Sequence, residues 1–502
     1  MVEFGKTIAD AYAFEGEGLD LGRGVHEGKV VEEAAVRLPL ATSNRHGLIA
    51  GATGTGKTRT LQLLTEQLSA AGVPVVAADI KGEVSGIAQP GEAGGPAEKR
   101  AKELGQHWTP TGFPTEYFSI GGIGPGVPVR ASVSDFGPLL LAKTLGANET
   151  QEQSLALVFR YADEKGLPIV DLTDLRALLT FFDSEAGKAE LKGIGGVSSA
   201  TIGVLLRSLV QLEDGGGTEF FGEPQLEIAD LIRTAPDGRG LISCLELAAV
   251  QDQPKLFSTV LMWLLAELFE ELPEVGDLPK PKLVFFFDEA HLLFADASDA
   301  FLESIVQTVR LIRSKGVGVY FITQTPKDIP ADVLAQLGNR IQHALRAFTP
   351  QDAKALKATV STFPTTDLYD LEELLTQLGT GEAAVTILSE SGVPTPVVHT
   401  RLRAPLASMK PAPDVDAAAK ASPLFAEYGT RIDRESARER LAARVEATPE
   451  PEPVAAEPEP KPRQRRSAES GDPLTDFLGS RQGRTIQREV IRGVFGLLRK
   501  RL

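Results

Sequence analysis

Short unbroken apolar runs alternate along the chain with longer stretches whose apolar residues recur every three or four positions. "HGLIA" (46–50) is an apolar run of strand length that ends at a glycine loop. "KTRTLQLLTEQLSAAG" (57–72) follows, with Leu61, Leu64 and Leu68 at helical spacing and Gly72 as a stop. "VPVVAADIKGE" (73–83) is a second apolar run ending in polar residues. Strand, helix and strand in that order predict a parallel α/β unit. "KLVFFFDEAHLLF" (282–294) contains the continuous apolar strand expected when both faces of a sheet are covered. Residues 316–326, 339–348 and 379–388 read as three further strands.

Between these strands, residues 90–280 carry helical patterns such as "DLTDLRALLTFF" and "LFSTVLMWLLAELFEEL", broken by Gly/Pro punctuation. They predict a large, mainly helical insertion packed on the sheet. The expected fold class is therefore α/β, with a mostly parallel sheet. Residues 1–40 read as a lead-in of short strands or loops, 41–405 as the main domain and 406–470 as a Pro/Glu/Ala-rich linker. The tract "TPEPEPVAAEPEPKP" (448–462) lacks the apolar residues to bury a core and is expected to be disordered or extended. Within 471–502, Ile486, Val490 and Val494 run parallel to Arg484, Arg488 and Arg492, predicting a basic amphipathic helix. That helix suits docking on a neighbouring subunit, nucleic-acid contact or a membrane surface.

Composition narrows the setting. A hydrophobic fraction of 42% and a charged fraction of 24% are those of a soluble globular protein. No apolar run reaches transmembrane length, and the N-terminus lacks a basic start and apolar stretch, so neither a membrane span nor a signal peptide is expected. One cysteine, Cys244, excludes an intrachain disulfide and a multi-cysteine metal site; it reads as a core strand residue. A cytoplasmic location is expected. The net charge of −16 excludes nucleic-acid binding through the whole surface, so any such contact needs a local basic lining such as a ring pore.

The candidate chemistry begins at Gly51-Ala52-Thr53-Gly54-Thr55-Gly56-Lys57-Thr58, a complete G-x-x-x-x-G-K-[ST] motif. Its glycines let backbone N–H groups close around phosphate oxygens, while Lys57 reaches the β- and γ-phosphates and Thr58 ligates Mg²⁺. The following helix start adds partial positive charge. Such a loop needs an acidic strand end, and "LVFFFDEAH" supplies Asp288 to hold Mg²⁺ and Glu289 to polarise the attacking water. The tetrad Asp-Glu-Ala-His also occurs in helicases with two tandem cores, but the arginine motif Q-x-x-G-R-x-G-R of a second core is absent.

Several residues keep two readings. Gln324, at the end of "FITQ", either senses the γ-phosphate or bonds a neighbouring loop. Arg310 and Arg313 lie three apart on one helix, as surface ion-pair partners or as arginines supplied in trans to a neighbour's transition state. Asp79, after the second strand, reaches the metal shell or caps a turn with Lys81.

Together "NRHGLIAGATGTGKT", "VVAADIKGEVSGIA", "FFFDEAHLLF", "VRLIRSKGVGVYFITQTPKDIP" and "QLGNRIQHALRAFTPQD" resemble the HerA-like branch of the FtsK–HerA P-loop ATPases. They look most like its bacterial helicase HerA-like, C-terminal group. "LGANETQEQSLALVFRYADEKGLPIVDLTDLRALL", "FFGEPQLEIADLI" and "GRTIQREVIRGVFGLL" share the likeness, which covers most of 40–405 and the final helix. The resemblance implies a RecA-like P-loop NTPase core assembling into a hexameric ring. It implies Gly51–Thr58 as the phosphate loop, Asp288–Glu289 as the acidic pair and Gln324 as the sensor. A neighbour's arginine finger then falls at Arg313, with Arg310 close by. HerA proteins of archaea move along double-stranded DNA and partner the nuclease NurA. Residues 1–40 are fewer than make up the small β-barrel by which HerA proper docks that nuclease, so the resemblance gives no expectation of such a partner.

The function expected is an ATP- and Mg²⁺-dependent ring motor that translocates DNA. The alternative is a ring that remodels or anchors a protein partner with no nucleic acid in its pore.

Overall fold

The apolar runs lie side by side in one twelve-stranded sheet. The computed structural model describes residues 2–447 apart from 192, 194, 277 and 295–298. The Pro/Glu tract at 448–462 and the helix expected within 471–502 lie outside the described residues. The strands are β1 (Gly18–His26), β2 (Lys29–Pro39), β3 (Gly47–Ala50), β4 (Val75–Asp79), β5 (Thr115–Ile120) and β6 (Val127–Val129). They continue with β7 (Ile242–Glu246), β8 (Leu283–Phe287), β9 (Val317–Thr323), β10 (Asn339–Gln342), β11 (Glu382–Thr386) and β12 (Val398–Leu402). Across the sheet they run β2-β1-β12-β11-β10-β3-β9-β8-β4-β7-β5-β6. From β10 to β6 the pairings are parallel, and from β10 outward to β2 they are antiparallel.

Alternation of side chains splits each apolar run between two cores. On β8, Leu283, Phe285 and Phe287 enter one core, which also takes the insertion helices Glu149–Glu164, Leu172–Asp183, Ser199–Leu212 and Pro254–Glu271. Val284 and Phe286 enter the other, with Leu61, Leu64 and Leu68 of helix α2 (Lys57–Ala70). α2 thus buries the leucine stripe its sequence announces, and Gly72, at φ +73°, turns the chain just beyond it. The core is a RecA-like P-loop NTPase fold with a mostly parallel centre.

Three segments differ from the sequence reading. Residues 1–40 are no mere lead-in. Helix α1 (Val2–Ala11) buries Phe4 and Ile8 in the α2-side core, and the β1–β2 hairpin closes the sheet edge against β12. The 90–280 stretch is not purely insertion, because β5, β6 and β7 extend the sheet itself. Gly/Pro punctuation around a three-residue β6 hid that contribution. Residues 406–447, expected as linker, fold into helices Val415–Ala421, Pro423–Tyr428 and Ala437–Ala447. Their anchors lie hundreds of residues away in sequence, which made the stretch look unstructured. Tyr428 is 1% exposed and donates to Asp230 Oδ2 at 2.7 Å, and Ser436 Oγ donates to Asp174 Oδ1 at 2.6 Å.

Candidate active site

β3 ends at Ala50, and the chain then has to reverse tightly around a hollow. Gly51 adopts φ +154°, and a Cβ there would lie 2.5 Å from His343 Cβ. Gly56, at φ +115°, starts α2 in a left-handed conformation that favours glycine. Neighbouring strands hold the loop in register. Gly51 N–H donates to Thr323 O of β9 at 3.2 Å, and Ala52 N–H to Ala344 O beyond β10 at 2.8 Å. Gly381 N–H donates to Thr55 O at 2.9 Å. Thr53 and Gly54 form the exposed tip, and Thr58 is half-buried.

Lys57 is buried, and its ammonium donates to Gly51 O at 2.7 Å and Ala52 O at 3.3 Å, inside the loop it serves. Burial lowers its pKa, and the charges of Glu289 and Asp288 oppose that shift. Residues far apart in sequence therefore share one electrostatic neighbourhood. Beneath the loop, Thr60 Oγ1 and His343 Nε2 are 2.9 Å apart. Burial brings His343 down to about 4, so its ring is neutral and packs as an uncharged support against Gly51.

β9 lies next to β3 and β8 next to β9, all parallel, which brings Gln324 and Asp288 to the same strand ends as the loop. Gln324 is exposed directly after Thr323. Asp288 is 2% exposed, and its Oδ1 accepts the Glu289 N–H at 3.0 Å. Its Oδ2 has no hydrogen-bond partner among the described residues. Burial, then the carboxylates of Glu289 and Asp79, push Asp288 up to about 7. A buried carboxylate oxygen without a donor fits a divalent cation, which removes the penalty that raises its pKa. Glu289 stands at φ +46°, pairs with Lys81 and faces His291 Nδ1 at 3.3 Å.

Asp79 ends β4 fully buried, and its carboxylate accepts N–H groups of Lys81 and Glu83 at 3.2 Å and Val84 at 2.7 Å. It is a turn cap. Next to it, Cys244 and Glu246 of β7 are buried, as a core strand residue and a carboxyl that burial raises to about 7. Glu246 carried no sequence signal, because only the β4–β7 register places it beside Asp79.

Arg310 and Arg313 lie elsewhere. Both are exposed, at the end of helix Asp299–Ile312 and in the turn that precedes β9. Since β9 runs parallel to β3, that turn lies at the edge of the sheet opposite the phosphate loop. The seven residues of β9 separate the two edges by about 23 Å. Consistent with that position, the charge of Arg313 acts on His46, just before β3, which burial lowers to about 4.

The face of α2 away from the leucine stripe bears Arg59, Gln62 and Glu66, which bind the chain leaving β12. Arg59 Nη2 donates to Met409 O at 2.5 Å and Gln62 Nε2 to Ser408 O at 2.8 Å. Glu66 accepts N–H groups from Leu406 at 2.8 Å and Ala407 at 3.2 Å. Burial nevertheless pushes Glu66 up to about 8. Residues 403–412 thus form a strap across the helix that starts at the phosphate loop. Sequence reading missed both strap and partners, because a polar helix face ordinarily means solvent.

A family model described as helicase HerA-like, C-terminal matches residues 26–501. A protein of Methanocaldococcus jannaschii named "Probable helicase MJECL08" is 30% identical over 167 residues. That stretch is 31% of this chain and 30% of the relative's length. Among solved structures, the unbound bacterial conjugative coupling protein TrwBdeltaN70 superposes with a TM-score of 0.51 at 14% identity, over 79% of this chain and 91% of that one. The plasmid coupling protein TrwB in complex with ADP and Mg²⁺ gives 0.51 at 14%, over 80% and 92%. At that identity the likeness is one of fold.

Proposed function

The chain belongs to the helicase HerA-like, C-terminal family, and from that membership we propose that it is a ring-forming, ATP-hydrolysing motor that translocates DNA. The observation that carries the reading is a divided site. The phosphate loop, Asp288, Glu289 and Gln324 gather at one edge of the sheet, while Arg313 and Arg310 stand exposed at the other. Arg313 does not reach the loop of its own chain across the length of β9. A neighbouring protomer in a ring, hexameric in this reading, brings it there to stabilise charge developing on the phosphates.

Each residue then has a role. Backbone N–H groups of Gly51–Thr58 and the start of α2 bind the phosphates, and Lys57 leaves its loop carbonyls for the β- and γ-oxygens. Thr58 and Asp288 would hold Mg²⁺, which supplies charge neutralisation between the phosphates. Glu289 orients and polarises the attacking water, and Gln324 senses the γ-phosphate. Asp79 positions the turn that carries Lys81, the partner of Glu289. The ADP and Mg²⁺ of the TrwB structure support this nucleotide and metal. The family description and the helicase name of the archaeal relative support DNA.

ATP turnover measured with and without duplex or single-stranded DNA tests the assignment. We expect stimulation at low salt that falls steeply as salt rises, and no turnover in Lys57→Ala. Turnover indifferent to both DNA forms contradicts translocation. It favours a ring acting on a protein partner, the reading to which the net charge of −16 lends weight.

A further inference from the structure

The turn that follows β4 carries Lys81 to the acidic pair, where its ammonium donates to Glu289 Oε1. We propose that Lys81 is a ligand of the nucleotide's terminal phosphate, and that it passes from Glu289 to that phosphate when a triphosphate binds. The inference rests on the phosphate-loop reading and adds a cation that tells a triphosphate from a diphosphate.

Position gives the first reason. β4 and β8 pair in parallel with Ala78 opposite Phe287, so the chain just beyond each strand brings Lys81 beside Glu289. Lys57 is lowered by burial and, beyond that, by the charge of Lys81. Two ammonium groups from two elements, the β4 turn and the start of α2, therefore act on one neighbourhood. Like charges converge where the ligand is a polyanion.

The chemistry of Glu289 gives the second. Its Oε1 is the atom that Lys81 occupies, and a carboxylate bound by a cation is a weaker base. Polarising water needs that oxygen as an acceptor. The terminal phosphate lies next to that water and carries more negative charge than one carboxylate. Transfer of Lys81 to it frees Oε1 and screens the phosphate from Glu289. A diphosphate presents no phosphate at that point, so Lys81 stays where it is.

Construction gives the third. Asp79 is fully buried and accepts the N–H groups of Lys81, Glu83 and Val84, which fixes the backbone of the turn. The Lys81 side chain is 41% exposed, while Glu289 is buried on backbone at φ +46°. The lysine swings on its flexible stem, and the carboxylate stays.

The test titrates Mg-ATP and Mg-ADP calorimetrically into the full chain carrying Glu289→Gln. That background halts turnover and removes the carboxylate, so an effect of Lys81 on binding does not pass through Glu289. Adding Lys81→Ala should lower the ratio of ATP to ADP affinity about ten-fold while ADP binds as before, which also reports an intact loop. Lys81→Arg keeps the charge and should keep most of the ratio. An unchanged ratio in Lys81→Ala, or an equal fall in both variants, overturns the assignment. Failure of the phosphate-loop reading looks different: the Glu289→Gln protein then binds neither nucleotide, and both inferences fall.

Discussion

Burial of charge governs the chemistry of single residues here. Asp288, Glu66 and Glu246 are carboxyls held with little access to water, and burial raises each of them. An acid raised on folding keeps its proton in the folded chain after the unfolded chain has released it. Its contribution to stability is complete below the unfolded value of 4.5 for Glu66 and is lost as pH rises through about 8. The melting temperature should therefore fall between about pH 5 and about pH 8, and Glu66→Gln should flatten that slope, since an amide oxygen still accepts from Leu406 and does not titrate. Thermal unfolding of both proteins across that range decides it, and identical slopes would count against the assignment. Lys57, Asp288 and Glu289 were legible in sequence because their chemistry sits in short motifs with fixed spacing. Glu66 and His343 were not, since each acts through chain hundreds of residues away. Asp79 divided evenly between metal and cap until the N–H donors at 81–84 were placed.

Among elements, the central strands were readable because a run apolar at every position feeds two cores at once. β8 shows this with phenylalanines alternating between the insertion side and the α2 side. The edges of the sheet were not readable. β1 and β2 mix charged and apolar residues, as half-exposed strands do, and the pairing of β1 with β12 spans most of the sequence. α1 belongs to the same structure, with Ile8 fully buried and Tyr12 Oη donating to Val385 O and Pro396 O at 2.9 Å. Ile8→Ala is therefore expected to cost about 2–5 kcal/mol in urea unfolding. A cost below about 0.5 kcal/mol, the usual size of a surface change, contradicts an integral N-terminal helix. The strap at 403–412 makes a similar point at the other end of the core. Its composition resembles a linker, and its fold comes from the polar face of α2.

For the whole molecule, the sheet sets two groups of candidate residues at opposite strand ends. Carboxylates and the phosphate loop crowd the strand ends, and Arg313 lies at the strand starts. In the proposed ring, a protomer would complete its site by packing its loop edge against another protomer's arginine edge, and repetition of that contact would close the ring. The most direct test mixes two inactive proteins, Arg313→Ala and Lys57→Ala, and measures ATP turnover of the mixture. An Arg313→Ala subunit keeps its phosphate loop, and a Lys57→Ala neighbour keeps the arginine, so mixed rings regain functional sites. A site shared between protomers predicts that each variant alone is inactive and that mixing restores turnover. Turnover of the mixture no greater than the sum of its parts would contradict a site shared between protomers.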